Sequence, residues 1–336
     1  MRDRNNDLKN LDLLRSIAVI LVFISHIISP DNLPKFFHLQ ALGLLGVFIF
    51  FVLTSYVLML SLDRQNLSKN KIYYKFYIQR IFRIYPISII VVALSFFIIY
   101  YKNLTAFDSK LFWSNIFLIQ NLVYYEELPG VKSMPGIIWT LCYEVQMYVF
   151  LPFLFLLTKK KNCKKLMILL FIFCVIFILI NKYFNTPLFN ITKYFPCFIS
   201  GIFGYIYFKE NTKKISPVYL IGYLFLSIIF YPMLVAKNIP ENFLGVILCS
   251  ILGLLIPMTK EISFKLVNNF SKEIAKYSYT IYLFHGFVIN IFIDLQVFYL
   301  IKFSLIILTL SFVCYVVYIF VENPMIKLGK KISNSL

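Results

Sequence analysis

Apolar runs of membrane-crossing length recur from one end of the chain to the other, set apart by short polar segments. Ten such runs stand out, at about 11–29, 41–60, 84–101, 138–157, 165–181, 194–208, 217–236, 241–258, 278–298 and 302–321. A helix needs about 20 predominantly apolar residues to cross the hydrocarbon core, so each run is read as one crossing. The pattern predicts an all-α integral membrane protein with about ten transmembrane helices. The polar segments are mostly short. The longest on one side is 61–83, basic and aromatic, with helical character near Arg80 and Arg83. The longest on the other side is 102–137. It contains WSNIFLIQNLVYY, which is apolar but too short to cross as a helix and reads as re-entrant or interfacial. The turn-rich LPGVKSMPG follows at 128–136, and a new helix is expected near Ile137. The run of spans is continuous, so the chain 1–336 is read as a single polytopic domain with no appended soluble domain.

Composition agrees with the pattern. Of 336 residues, 60% are hydrophobic and 14% charged, and the mean hydropathy is +0.80. That is too little polar surface for a soluble domain. The net charge of +18 raises the question of nucleic acid, but the placement of the cations answers it differently. With both termini in the cytoplasm, 24 of the 33 Lys and Arg fall on the cytoplasmic side and eight on the outer side, with Arg15 inside the first span. This is the bias of a membrane protein with Lys/Arg-rich cytoplasmic loops. No nucleic-acid partner is expected. The basic N-terminus lacks the features of a cleaved signal, because the apolar run from Leu11 is a full span and no small-residue cleavage site follows it. The six cysteines are scattered with no CxxC pair. They read as packing residues, and no metal site is expected.

Charge inside a span is costly, at least about 2.5 kcal/mol at mid-bilayer, so the few ionisable groups there are candidates for function. Arg15 and His26 lie eleven residues apart on the first span. Eleven residues at 100° each return to within about 20° of the starting direction, roughly 16 Å further along the axis. The two side chains share one face, and Asp12 joins them three residues before Arg15. Each has an ordinary reading as well: Arg15 as a snorkelling cation, His26 as an interfacial ring. Glu144 lies in WTLCYEVQMY, one to two turns into the fourth run, at a depth similar to His26. The two could form a general-base pair or Glu144 could make a structural polar contact between helices. His285, in YSYTIYLFHGF, serves either a donor path or a bond to a neighbouring helix. Arg80 and Arg83, three residues apart on a helical turn, suit phosphate recognition and equally anionic lipid heads. His38 reads as a solvated loop residue. There is no GxxxxGK[ST] phosphate loop, no GxSxG elbow and no His/Cys cluster of metal-ligand spacing.

Six stretches taken together resemble the membrane-bound acyltransferase-3 family of bacterial sugar O-acyltransferases. They are LDLLRSIAVILVFISH from Leu11, GVFIFFVLTSYVL from Gly46, RIFRIYP from Arg80, WTLCYEVQMYVFLP from Trp139, YSYTIYLFHGFVI from Tyr277 and FVENP from Phe320. They occur in the family's order from residue 11 to 324. Ser55 stands where the family has a glycine, Val145 replaces a second carboxylate after Glu144, and Cys142 and Tyr143 replace a small pair.

The resemblance implies transfer of an acyl group, most often acetyl, to a sugar hydroxyl. The donor would be cytoplasmic acyl-CoA, with acetyl-CoA as donor substrate and no metal. The acceptor would be a lipid-linked or cell-surface glycan such as O-antigen or capsule, and the location the bacterial cytoplasmic (inner) membrane. In that reading Arg15, Arg80, Arg83 and His285 serve the CoA donor, while His26, Glu144 and Arg15 serve the chemistry. Membrane lipids are the remaining partners. A glycan exporter or proton-coupled transporter is the alternative, because intramembrane Arg, His and Glu suit a carrier too. The orientation is directly testable. Green fluorescent protein fused after Leu336 should fluoresce and alkaline phosphatase fused there should be inactive, whereas the reverse pattern would invert the topology.

Overall fold

A computed structural model of the chain describes residues 9–28, 34, 36–65, 69–101, 108–123, 138–184, 193–210 and 213–335. The N-terminal lead-in before Lys9, the turn-rich 128–136 and most of the expected outer loops lie outside these residues. The helices, in order, are α1 (Lys9–Ile27), α2 (Leu39–Gln65), α3 (Lys69–Tyr101), α4 (Ser109–Ile116), α5 (Gln120–Val123), α6 (Trp139–Thr158), α7 (Cys163–Phe184), α8 (Phe195–Glu210), α9 (Val218–Ala236), α10 (Glu241–Met258), α11 (Lys265–Phe292), α12 (Tyr299–Val317) and α13 (Asn323–Ser335). A π-helical turn, Tyr318–Glu322, joins α12 to α13. Among the described residues there is no sheet, only a bridge between Ile215 and Thr259. The all-α expectation holds.

Each of the ten expected crossings coincides with a helix, but among the described residues eight helices are both long and apolar enough to span. The other two differ for separate reasons. α8 has 16 residues, about 24 Å at 1.5 Å per residue and short of a 30 Å core. α11 has 28 residues, and its Lys, Ser, Tyr and Asn dilute its apolar content. Two further boundaries move. α3 begins at Lys69, so Arg80 and Arg83 lie on the same continuous helix as the third apolar run, in the stretch Lys71–Ile98 that has the composition of a span. No helix breaker occurs before Pro86, and nothing in 69–83 stops the helix from extending. The apolar outer segment becomes two short helices, α4 and α5. Asp108 caps α4 through its carboxylate, which accepts from the Leu111 N–H at 3.0 Å. Leu118 breaks the path with φ 56°.

The helices divide into two units. The first comprises Met1–Arg64, Phe153–Phe184 and Thr192–Ser278. Its α1 is anchored at the start. The Asn10 N–H donates to a Glu261 carboxylate oxygen at 2.7 Å, its side-chain amide donates to the Lys260 carbonyl at 2.9 Å, and its amide oxygen accepts from the Ile262 N–H at 3.0 Å. Glu261 thereby satisfies one of the open N–H groups at the helix start with a negative charge. Small residues set the helix approaches. A Cβ at Gly46 would strike the Ala18 carbonyl, one at Gly201 the Val52 carbonyl, and Gly204 and Gly253 lie against backbone in the α8–α10 contact. In lipid, helix association rests on close packing, and small residues allow it. The aromatic centre includes Phe51 and Phe198, with ring centroids 4.5 Å apart, and Tyr231 edge-on to Phe48. Residues 168–179 of α7 present Leu169 (55% exposed), Phe173 (51%) and Leu179 (56%) outward, a face suited to lipid.

The second unit comprises Gln65–Pro152, Asn185–Ile191 and Tyr279–Leu336. Here α13 lies along α3: Gly329 abuts Phe82, and the Gln79 amide donates to Ser333 Oγ at 3.0 Å. Phe96 of α3 meets Phe112 of α4 edge-on. A reciprocal amide pair, Gln146 with Asn121 at 2.8 and 3.2 Å, ties α5 to α6. All six cysteines are free thiols, five of them buried, as packing residues should be. The glycine contacts carry a prediction. Gly253→Val puts a side chain into the Ser200 carbonyl, and overpacking of this kind costs about 1–3 kcal/mol or more. The variant should lose its monodisperse peak in fluorescence-detected size-exclusion chromatography and melt lower. Gly222→Val, at a site with nothing within 4 Å, should match the wild type.

Candidate active site

The α1 stripe expected from the sequence is present. Asp12 and Arg15 are half-buried, and Arg15 and Lys272 are the cations acting on Asp12. His26, at the far end of α1, is exposed. Its Nδ1 lies 2.8 Å from the Val22 carbonyl and 3.1 Å from Ser25 Oγ. The Ser25 hydroxyl itself donates to the Val22 carbonyl at 2.7 Å. A carbonyl offers only lone pairs, so the short contact requires a proton on Nδ1. The neutral ring then carries its lone pair on Nε2, the tautomer that a general base needs. Gly43 of α2 backs this arrangement: a Cβ there would overlap Ser25 Oγ and stand 3.9 Å from His26 Cε1.

His285 uses the same device. Its Nδ1 lies 2.7 Å from the Tyr282 carbonyl and 3.2 Å from that of Ile281, again leaving the lone pair on Nε2. Unlike His26 it is buried, 1% exposed. Beside it the Tyr282 hydroxyl pairs with Thr140 Oγ1 at 2.7 Å, joining α11 to α6.

Arg80 and Arg83 belong to a charged group assembled within the second unit. Three residues turn a helix by 300°, so the two guanidiniums leave α3 about 60° apart. Arg80 has Arg83, Tyr148 and Glu144 as its charged and polar neighbours. Tyr148, one turn beyond Glu144 on α6, donates its hydroxyl to Glu144 Oε1. Its ring stands edge-on to Phe76, one turn before Arg80 on α3, with centroids 6.0 Å apart. Arg83 lies toward Glu322 of the π-turn. There Thr280 Oγ1 of α11 donates to Glu322 Oε2 at 2.6 Å. Tyr279 completes the group: its hydroxyl donates to the Ile84 carbonyl at 2.9 Å, and Glu144, Glu322, Tyr148 and Arg83 all act on it.

Two cations and two carboxylates thus act on one another within one group, and each carboxylate accepts from a hydroxyl. Formally the group is neutral, which lowers the cost of carrying it inside a bilayer. One donor is left over: Arg80 Nε is buried with no hydrogen-bond partner, a situation that costs about 1–3 kcal/mol.

This arrangement changes one expectation. The sequence separated Arg80 and Arg83, on the cytoplasmic side, from Glu144, on the outer side. The structure brings Glu144 beside Arg80, because α3 extends through the arginines and meets α6 along the Phe76–Arg80 face. Tyr148, Tyr279, Thr280 and Glu322 had no assigned role in the sequence reading. Three of them sit in stretches already singled out for family resemblance, WTLCYEVQMY and YSYTIYLFHGF, and Glu322 sits in FVENP. Removing the Thr280 hydroxyl leaves the buried Glu322 short of a donor. Thr280→Val should therefore destabilise the purified protein by about 1–3 kcal/mol, read as a lower melting temperature, and Thr280→Ser should restore it.

Comparison with known proteins agrees with this picture. The family described as "Acyltransferase domain", acyltransferase-3, matches residues 8–321. A protein of Acidianus two-tailed virus named "Putative acetyltransferase ORF330" is 28% identical over 233 residues, which cover 67% of this chain and 66% of the relative. The match therefore spans just under two thirds of the relative's own length. No solved structure matches significantly. With its family motifs in register and the match covering nearly all of its multi-pass membrane architecture, the chain belongs to the acyltransferase-3 family.

Proposed function

We propose that the protein transfers an acyl group, most often acetyl, from acyl-CoA to a hydroxyl of a lipid-linked or cell-surface glycan at the cytoplasmic membrane of a bacterium. The observation that carries this reading is His26 with Nδ1 2.8 Å from the Val22 carbonyl, on a helix whose same face carries Arg15. Family membership supports acyl transfer as the reaction class.

In this mechanism His26 Nε2 removes the proton from the attacking hydroxyl. The hydroxyl oxygen bonds to the thioester carbonyl carbon, the carbon–sulfur bond breaks, and the imidazolium returns its proton to the departing CoA thiolate. A relay through an acyl-histidine is the variant of the same chemistry with His26 as nucleophile. Arg80 and Arg83 bind phosphates of CoA, for which forked guanidiniums are suited. Arg15 supplies a cation along the α1 stripe. His285 is assigned to the donor side on its tautomer and its burial next to Tyr282. Glu144 is held by Tyr148 and has Arg80 as a neighbour.

The test is a deletion strain whose surface glycans are analysed by mass spectrometry and NMR, complemented with wild type or His26→Ala. Wild type should restore an acyl mark, 42 Da for acetyl, and His26→Ala should not, with both proteins inserted at equal levels. Unchanged acylation in the deletion strain, with glycan retained inside the cell, would favour the exporter instead.

A further inference from the structure

Tyr148 is buried and takes no part in the chemistry proposed above, yet it touches both halves of the arginine group. Its ring packs against Phe76, and its hydroxyl donates to Glu144 Oε1 and also lies in hydrogen-bonding contact with Arg80. Phe76 and Arg80 are one turn apart on α3, and Glu144 and Tyr148 are one turn apart on α6. Two matched rungs result: ring against ring, and carboxylate with hydroxyl beside guanidinium. A hydroxyl on one carboxylate oxygen restricts rotation of the Glu144 carboxylate, which acts electrostatically on Arg80. A guanidinium presented in one orientation loses less freedom on meeting a phosphate than one that must first be ordered. The Arg80 Nε without an acceptor is consistent with a side chain held for a further oxyanion.

We propose that Tyr148 is a positioning residue that, together with Glu144, orients Arg80 for the phosphates of the CoA donor. The inference rests on the donor reading above, since it assumes that Arg80 meets CoA. It leaves the chemical step at His26 untouched.

The experiment uses the full chain purified into lipid nanodiscs. Binding of CoA itself is measured by equilibrium dialysis, and acetyl transfer from acetyl-CoA is measured separately. Tyr148→Phe keeps the ring against Phe76 and removes only the hydroxyl. It should weaken CoA binding about fivefold or more and raise the KM for acetyl-CoA in step, with kcat within about twofold, alongside a fall in melting temperature no larger than that of Thr280→Val. Glu144→Gln keeps an acceptor for Tyr148 but removes the charge, and it should weaken CoA binding similarly. The double variant should be no worse than Glu144→Gln alone, because the two residues act as one unit. Tyr74→Phe, at an exposed position of α3, is the control and should match wild type. The proposal is overturned if Tyr148→Phe binds CoA like wild type. It is equally overturned if the losses in the double variant add, or if Tyr148→Phe only lowers the melting temperature. Should Tyr148→Phe not fold, an unaltered CoA affinity in Glu144→Gln overturns it alone. Wild type that binds CoA but transfers no acetyl would count against the acyltransfer reading while leaving Tyr148 testable by affinity. Wild type that does not bind CoA defeats both.

Discussion

A guanidinium drawn into a low-dielectric medium must bring its counter-charge with it. That constraint organises the second unit. α3 runs without a break from Lys69 through two arginines into a largely apolar stretch, and buried charge is tolerated only when paired and hydrogen-bonded. Arg80 and Arg83 leave α3 about 60° apart and share Tyr148 as a neighbour. Arg80 finds Glu144 on α6, and Arg83 finds Glu322 at the π-turn. Hydroxyls from Tyr148 and Thr280 occupy one oxygen of each carboxylate. The π-turn also has a mechanical place in this arrangement. It carries the chain from α12 into α13, which packs on α3 at Phe82 and Gln79. Helical angles put those two residues on a different face from Phe76 and Arg80. α3 is thereby held from two directions.

The first unit solves a different problem. Its helices are apolar nearly all round, and apolar surface by itself gives no preference for helix over lipid. Close approach at Gly46, Gly201, Gly204 and Gly253 supplies dispersion contacts that lipid chains do not match. Ser55, standing in for a glycine of the family pattern, remains compatible with this packing because its hydroxyl folds back onto the carbonyls of Phe51 and Val52. The start of α1 is fixed by polar means instead, through the three Asn10 bonds to Glu261, Lys260 and Ile262. A helix anchored at one end and packed against glycines along its length has a defined rotation. The face carrying Arg15 and His26 depends on that rotation.

Much of the protein was legible in its sequence. The apolar runs located the helices, because hydrophobic length reflects bilayer thickness directly. The Arg15–His26 face followed from 100° per residue, a property of one helix by itself. The short apolar outer segment was recognisable as something other than a crossing, and it forms α4 and α5. Boundaries were less legible where polarity and helicity part company. Residues 69–83 are too polar to read as a span but contain nothing to stop a helix, and α11 has the length of a span without its hydropathy.

The sequence by itself determined which segments become helices, which residues share a face within each, and which family the motifs resemble. These depend on length, periodicity and local order, all of which are written along the chain. Only the tertiary structure decided that Glu144 stands with Arg80, that Glu322 stands with Arg83, and that Tyr148 and Thr280 hold the two carboxylates. Such choices depend on the rotation and axial offset of one helix against another. Those quantities are set by packing contacts among residues far apart in the chain, so no local pattern records them.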